Sequence, residues 1–346
     1  SRVLIVTGDH PSTAKSVARK IGLDGGAEVI SGAELASMTD SELRTRVRTC
    51  NVYARMLPEQ KLRLVRALQD NDEVVAMTGD GVHDAHTLHA ANVGIAMGGR
   101  GTDVAREAAD LILLDDNFGS IVKAIRLGRR TFDNLRHAIT YIIAIHIPIG
   151  GLTILPVLLG MPLILLPIHI VLLEMTIDPA CAMVFEAEPE DCQVMQRPPR
   201  GVNATLAPRL ALTLAQGFGV LAATFATFLF ARLDSGSTEF ARAMTFGVLI
   251  VANLSLIGVS TGGRRHIWEV FMRPSRAFVL VAIGILSGLA AFLFVPVLRE
   301  RAHFAALSLS QVLLMLLVGA SSALWVEVVG PIHAIVDSRR TRVSRR

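Results

Sequence analysis

Six apolar stretches, at about 138–158, 163–184, 209–231, 243–260, 277–297 and 309–330, fill most of the second half of this 346-residue chain. Each approaches the roughly 20 residues that a helix needs to cross a bilayer. Hydrocarbon offers no hydrogen-bonding partner, so a spanning segment of this length must close its backbone bonds within itself, as a helix does. Residues 137–333 are therefore read as an all-α bundle of six transmembrane helices, with a soluble segment, 1–136, before it and a basic tail, 334–346, after it. The overall composition agrees, since 51% hydrophobic residues and a mean hydropathy of +0.49 are too apolar for an ordinary soluble protein.

Charge orients the bundle. Residues 1–136 carry 18 Lys+Arg and 18 Asp+Glu, so the net +4 belongs to the apolar half, where 16 basic residues stand against 12 acidic ones. Loops on the soluble-segment side hold Arg197, Arg200, Arg209, Arg264, Arg265, Arg273 and Arg276, and the tail adds Arg339, Arg340, Arg342, Arg345 and Arg346. The opposite loops have only Arg232, Arg242, Arg299 and Arg301. By the positive-inside rule both termini are expected in the cytosol of a multi-pass protein, with membrane lipid as a partner and the plasma (cell) membrane as its location. Basic loops of this kind serve topology, and no nucleic-acid partner is expected. Three cysteines, Cys50, Cys181 and Cys192, form no CxxC pair and suggest neither a disulfide framework nor a zinc site.

In the soluble segment, strand patterns at 3–7, 51–54, 73–77, 93–97 and 111–114 alternate with helix patterns at 11–21, 58–69, 83–91, 102–109 and from about 118. Such alternation predicts an α/β, Rossmann-like domain with a parallel sheet covered on both faces. The chain opens on RVLIVTGD, directly on a strand pattern, as expected of a cut made inside a domain.

The chemistry concentrates in MTGDGVHDAHTLHAANVGIAM, residues 77–97. Val74, Val75, Ala76 and Met77 predict a buried parallel strand, and Gly79 and Gly81 are read as allowing a tight turn beneath Asp80 and Asp84. Asp80 then lies at the carboxyl end of a strand, where open α/β sheets bind ligands, and is read as a Mg²⁺ ligand beside a phosphate. Thr7, Gly8 and Asp9 end the first strand at the same edge and offer a hydroxyl and backbone amides to a phosphate oxygen. Lys61, three residues after the helix-opening Pro58, supplies a fixed positive charge. Singly, each has an ordinary reading: a turn for Thr-Gly-Asp, a solvated lysine, a helix-capping Asp84. His83, His86 and His89 recur at spacings that share a helix face, a weak metal pattern against the simpler reading of a tolerant helix rim.

In this order, and followed by GIAMGGRGTDVAREAADLIL, these motifs resemble the phosphorylation domain of the P-type cation-transporting ATPases, whose hinge reads TGDGxNDAPAL and whose fold is haloacid dehalogenase-like. His83 stands where that family has Asn, a residue that helps fix the phosphate and the magnesium shell, and His86 where it has Pro. The resemblance covers essentially the whole chain and makes the six spans similar to the family's transmembrane helices five to ten. It implies ATP and Mg²⁺, an aspartyl-phosphate intermediate, and phosphate contacts from Thr7, Gly8, Lys61 and His83. The phosphate-accepting Asp of a DKTGT motif, the nucleotide-binding domain and the actuator domain are not in this sequence, so the isolated chain is expected not to turn over ATP and to need an amino-terminal half in cis or in trans. The rival class is a non-catalytic or decayed membrane protein, or one half of a split pump. A membrane-tethered phosphatase is disfavoured, because it too needs that Asp.

Ionisable groups inside the spans point to what moves. Glu174 and Asp178, four residues apart, share a helix face, and Pro179 is expected to break the helix locally and free carbonyls beside Asp178. His146 lies in the preceding span with Pro148, and Asn253 in the fourth is either a further ligand or an interhelical hydrogen bonder. The resemblance places Glu174 where calcium pumps carry Asn, and Ile149 where they carry a Glu, which argues against direct transfer of calcium specificity. His146 is as readily an interhelical hydrogen bonder as an ion ligand, Cys181 a packing residue, Glu186 and Glu188 solvated at the cytoplasmic exit, and Glu327 a snorkelling side chain.

Overall fold

A computed structural model describes residues 2–23, 28–191, 193–196, 203–261, 274–323 and 325, without the side chains of 203–209. The chain divides into two compact units, Ser1–Leu127 and Gly128–Arg346.

The first unit is α/β. Strands β1 (Ile5–Val6), β2 (Val29–Ser31) and β3 (Val52–Ala54) form one parallel sheet in the order β1-β3-β2, and β4 (Ala76–Gly79), β5 (Val93–Met97) and β6 (Leu111–Leu113) form another in the order β4-β5-β6. Parallel neighbours need crossovers. These are α1 (Pro11–Lys20), α2 (Gly32–Ser37), α3 (Asp40–Arg46), α4 (Pro58–Gln69), α5 (Ala85–Ala90), entered through a 3-10 turn at Val82–Asp84, and α6 (Asp103–Ala108). The one sheet expected is thus two three-stranded sheets, and β1 and β4 are both edges. Ile30, Leu35, Leu43, Tyr53 and Leu64 are almost fully buried, each worth about 1.5–3 kcal/mol as an apolar side chain removed from water.

Two other expectations change. The strand expected at 73–77 begins at Ala76 because its partner β5 begins at Val93, and Val74, 82% exposed, has nothing to pair with. The elements β2, α2 and α3 have no counterpart in the pattern reading. They are short, and α2 and α3 are defined by their caps rather than by apolar periodicity. Ser31 with Glu34, and Thr39 with Glu42, form reciprocal capping boxes.

The second unit is helical. α7 (Phe118–Leu158) runs 41 residues with Pro148 and Pro156 inside it, and the division between the units falls within this helix. α8 (Pro167–Pro179) is followed by α9 (Asn203–Ser235), α10 (Thr238–Thr261), α11 (Arg276–Phe294), the short α12 (Pro296–Arg301) and α13 (Leu309–Ala323). Among the described residues five helices are long and apolar enough to cross a membrane, and α13 is the described part of the sixth expected span. The remainder of that span, Cys192, Glu327, the tail arginines, Arg197, Arg200, Arg264, Arg265 and Arg273 lie outside the described residues, as does the side chain of Arg209.

α10 is the central helix: 83% of its apolar window is buried, against 28–39% for the other four. Burial on all sides is what a helix apolar all round requires. Bilayer helices associate by close packing rather than by hydrophobic expulsion. Gly217 of α9 meets that need, because a Cβ there would lie 2.7 Å from the Ala144 carbonyl of α7.

The break expected at Pro179 is instead a change of pitch. Pro179 has no N–H to give the Met175 carbonyl. The chain passes without interruption into a π-helical turn, Ala180–Phe185. Single π turns absorb a local mismatch of this kind while keeping most backbone bonds closed, which hydrocarbon demands.

The capping boxes generate a pH prediction. The Ser31 and Thr39 backbone N–H groups, then their hydroxyls, hold the Glu34 and Glu42 carboxyls below the ordinary glutamate value of 4.5. A depressed folded value means stabilisation that is present above pH 4.5 and lost as pH falls through the folded pKa. Hydrogen exchange at the Ser31 and Thr39 amides, corrected for intrinsic rate, should accelerate below that pH. Glu34→Gln and Glu42→Gln should remove the pH dependence at their respective amides.

Candidate functional site

The loop after β1 is fastened to the segment that leads into α4. Thr7 N–H donates to the Tyr53 carbonyl at 3.0 Å, Met56 N–H to the Thr7 carbonyl at 3.0 Å, and Arg55 N–H to the Asp9 carbonyl at 3.0 Å. Asp9 N–H also reaches Thr7 Oγ1 at 3.1 Å. Thr7 is half-buried, while Gly8 and Asp9 are exposed. α4 then starts at Pro58, and Gln60 accepts from Leu57 N–H at 3.0 Å while donating to the Gly32 carbonyl at 2.9 Å.

This anchoring holds Lys61, whose Nζ donates to Asp84 Oδ1 at 2.7 Å, with the two side chains only 17% and 11% exposed. Asp84 N–H is in turn bonded to the Gly81 carbonyl at 3.0 Å. Gly79 makes the pair possible: a Cβ there would lie 2.6 Å from the Asp84 Cβ. Gly81 has a different part, since its backbone is extended (φ −99°) and a Cβ would meet Asp84 only at an ordinary 3.7 Å. Asp84 is therefore a buried partner of Lys61.

Asp80, exposed at the end of β4, has no side-chain partner among the described residues, while its carbonyl accepts from Thr102 N–H at 2.9 Å. A carboxylate without a side-chain partner, at the end of a strand and next to Gly79 and Gly81, suits a hard oxygen-seeking cation, so the residues present fit magnesium with Asp80 as the protein ligand. His83, His86 and His89 are exposed on the 3-10 turn and α5. No three His, Cys, Asp or Glu side chains converge on a metal position among the described residues.

In the second unit, Tyr141 of α7 donates to Asn253 Oδ1 of α10 at 2.6 Å, Asn253 Nδ2 donates to Thr176 Oγ1 of α8 at 3.1 Å, and Thr176 Oγ1 donates to the Leu173 carbonyl at 2.7 Å. Tyr141 and Asn253 are fully buried. Asn253 thus has both ends of its amide engaged as an interhelical bridge. His146 Nε2 lies 3.9 Å from Glu174 Oε1, both side chains about half exposed, and His146 Nδ1 is 2.8 Å from the Ile142 carbonyl. Asp178 is exposed and has no side-chain partner among the described residues.

On the α7 segment before the first expected span, Arg130 Nε and Asn134 Nδ2 donate to the Glu188 carbonyl at 2.9 and 3.1 Å, and Arg129 donates to the Val194 carbonyl at 2.9 Å. The chain after the π turn is held by these three side chains, which pattern reading does not single out.

Comparison with known proteins agrees with this layout. Residues 162–332 match the family described as "Cation transporting ATPase, C-terminus", and residues 1–92 match the haloacid dehalogenase-like hydrolases. Among relatives, the "Probable cation-transporting ATPase F" of Mycobacterium tuberculosis is 37% identical over 285 residues, 80% of this chain and 32% of that protein. "Calcium-transporting ATPase 1" of Yarrowia lipolytica is 32% identical over 330 residues, 94% of this chain and 35% of that protein.

The chain belongs to the P-type cation-transporting ATPases.

It corresponds to their carboxyl-terminal part and spans about a third of the length of the curated relatives it matches. The expectations drawn from the sequence give the two units separate tasks, phosphate chemistry in the first and an ion path in the second. Of the residues expected to share the first task, the structure joins Lys61 directly to Asp84, ties the Thr7–Asp9 loop to the entry of α4, and leaves Asp80 free. Tyr141 and Thr176 are additions. Polar groups inside an apolar span are a signal in the sequence, but their shared partner Asn253 is 112 residues from Tyr141 and only folding reveals it.

Two predictions follow from these contacts. Gly79→Ala should destabilise the protein by about 1–3 kcal/mol, the usual cost of overpacking, whereas Gly81→Ala should fall within about 0.5 kcal/mol. Thermal unfolding of the two variants side by side checks the contrast. Tyr141→Phe should cost about 0.6–1.7 kcal/mol, the range for polar bridges in bilayers, read as a lowered unfolding temperature in detergent. An unchanged midpoint would show that the bridge contributes nothing.

Proposed function

We propose that this chain forms the phosphate-supporting and ion-conducting part of an ATP-driven cation pump that works through an aspartyl-phosphate. The observation that carries the reading is the Lys61–Asp84 contact at 2.7 Å, next to the free carboxylate of Asp80. It holds a positive charge at the carboxyl end of β4, where a transferred phosphoryl group gathers negative charge.

In this reading Thr7 and Gly8 hold phosphoryl oxygens through the hydroxyl and backbone amides, Asp9 braces their loop, and Lys61 neutralises charge. Asp84 orients Lys61, and Asp80 holds magnesium, which when bound offsets charge on the phosphoryl group. Among the described residues, β1 and β4, the strands that end at these residues, each have one unpaired edge. A strand bearing the phosphate-accepting Asp has those edges to join, and it would come from an amino-terminal half in cis or in trans. Without that Asp the isolated chain should not hydrolyse ATP. His83 is exposed on the turn beside the Lys61–Asp84 contact.

The cation path is proposed to run past His146, Glu174 and Asp178, with Asn253 positioning α7 and α8 from α10. The protein would lie in the plasma membrane with both termini in the cytosol. In the complete pump, reconstituted into lipid vesicles, Asp178→Asn and Glu174→Gln should each abolish cation-dependent phosphorylation from ATP. Phosphorylation whose cation dependence is unchanged in both variants would remove these residues from the path.

A further inference from the structure

A buried imidazole joins two loops at the end of the helical unit where α7 stops and α8 begins. His169, in the first turn of α8, is fully buried. Leu166 N–H donates to its Nδ1 at 3.1 Å, and Nε2 lies 2.8 Å from the carbonyl of Ala302, in the loop after α12. The two contacts agree on one form of the ring. An amide N–H only donates and a carbonyl only accepts, so Nδ1 keeps its lone pair and Nε2 carries the single hydrogen. The ring also stacks on Phe304 of the same loop, with centroids 4.8 Å apart, and meets Phe246 of α10 at 41°. Further bonds secure both loops to the start of α10. Arg242 Nε donates to the Leu163 carbonyl at 3.0 Å, and Ala305 N–H to the Glu239 carbonyl at 3.3 Å.

The same device opens α4, with a side chain that does not titrate. Leu57-Pro58-Glu59-Gln60 and Leu166-Pro167-Ile168-His169 match position for position at the starts of their helices. Gln60 accepts from Leu57 N–H and donates to the Gly32 carbonyl, as His169 does with Leu166 and Ala302. Glutamine therefore suffices for the geometry, and histidine adds a titration near neutral pH. A second ring proton would set Nδ1–H against Leu166 N–H, two donors with no acceptor between them. It would also place a positive charge out of water beside Arg242 and His303, the groups that face the ring, each positive when ionised, with Glu239 facing Arg242.

We propose that His169 is a proton-released latch: neutral, it holds the loop 159–166 to the loop 302–308 and positions the first turn of α8; protonated, it lets go. The closed form binds the neutral ring, so closure is favoured above about pH 6.5, the ordinary histidine value, and is lost as pH falls below it. The latched helix is the one that carries Glu174 and Asp178. Which side supplies the proton rests on the orientation proposed above, under which this end faces away from the cytosol.

The test uses the chain in lipid nanodiscs, where both faces meet one pH, so that failure of the latch leaves the orientation untouched. Nuclear magnetic resonance of ¹⁵N-histidine reports the ring nitrogens, and His169→Gln identifies by loss which of the ten histidines is His169. At neutral pH its Nδ1 should be unprotonated and its Nε2 protonated. Below about pH 6, hydrogen exchange at the Leu166 amide, corrected for intrinsic rate, should accelerate by about tenfold per pH unit, and the ring should take its second proton over the same range. Exchange at the Ala305 amide, in the other loop, should follow. His169→Gln should keep the protection and abolish its pH dependence, whereas His169→Leu should leave the Leu166 amide exchanging fast at every pH. A doubly protonated ring with Leu166 still protected overturns the proposal, and so does acceleration that persists in His169→Gln. Should His169→Leu fail to fold, the glutamine variant and the ring spectrum decide the matter.

Discussion

Hydrocarbon supplies no substitute for a missing hydrogen-bond partner, and the polar interior of the membrane unit depends on how the chain Tyr141–Asn253–Thr176 answers that constraint. The chain links α7, α10 and α8 at one level. Asn253 is fully buried and cannot turn to solvent, so its amide fixes the two neighbours relative to each other. Tyr141 precedes His146 by little more than a turn on α7, and Thr176 follows Glu174 on α8. The facing of His146 and Glu174 is therefore set by a bridge that includes neither.

The first unit follows a similar logic with charge in place of a neutral amide. Lys61 and Asp84 are each mostly removed from water, and either alone would be an uncompensated charge, a loss on the order of 3 kcal/mol. Gly79 lets Asp84 approach, and the backbone bonds among Thr7, Asp9, Tyr53, Arg55 and Met56 hold the entry to α4. Asp80, exposed after β4, is left without a side-chain partner among the described residues.

Long-range periodicity was legible along the chain, and short elements were not. Helix 58–69 and strand 93–97 fall where the pattern places them, because each is bounded by strong local signals, Pro58 in one and flanking turns in the other. β2, α2 and α3 were missed because their stability lies in reciprocal caps at Ser31 and Thr39, not in an apolar stripe. Pro179 shows the opposite limit. The missing N–H is certain from the sequence, but only the structure shows that the helix answers by widening into a π turn, whose own Val184 and Phe185 are buried.

By itself the sequence determined that this chain has an α/β part and a part of long apolar helices, that Asp80 follows a strand and Lys61 stands in the first turn of a helix, and that carboxylates occupy an apolar span. Those properties follow from local pattern, where periodicity and a few obligatory turn residues leave little choice. Only the tertiary structure decided which of two carboxylates is engaged, Asp84 with Lys61 while Asp80 has no side-chain partner among the described residues, and that Asn253 braces helices while His146 Nε2 lies 3.9 Å from Glu174. Each of those outcomes rests on atoms far apart in the chain brought within a few ångströms, a matter of packing that no local pattern encodes.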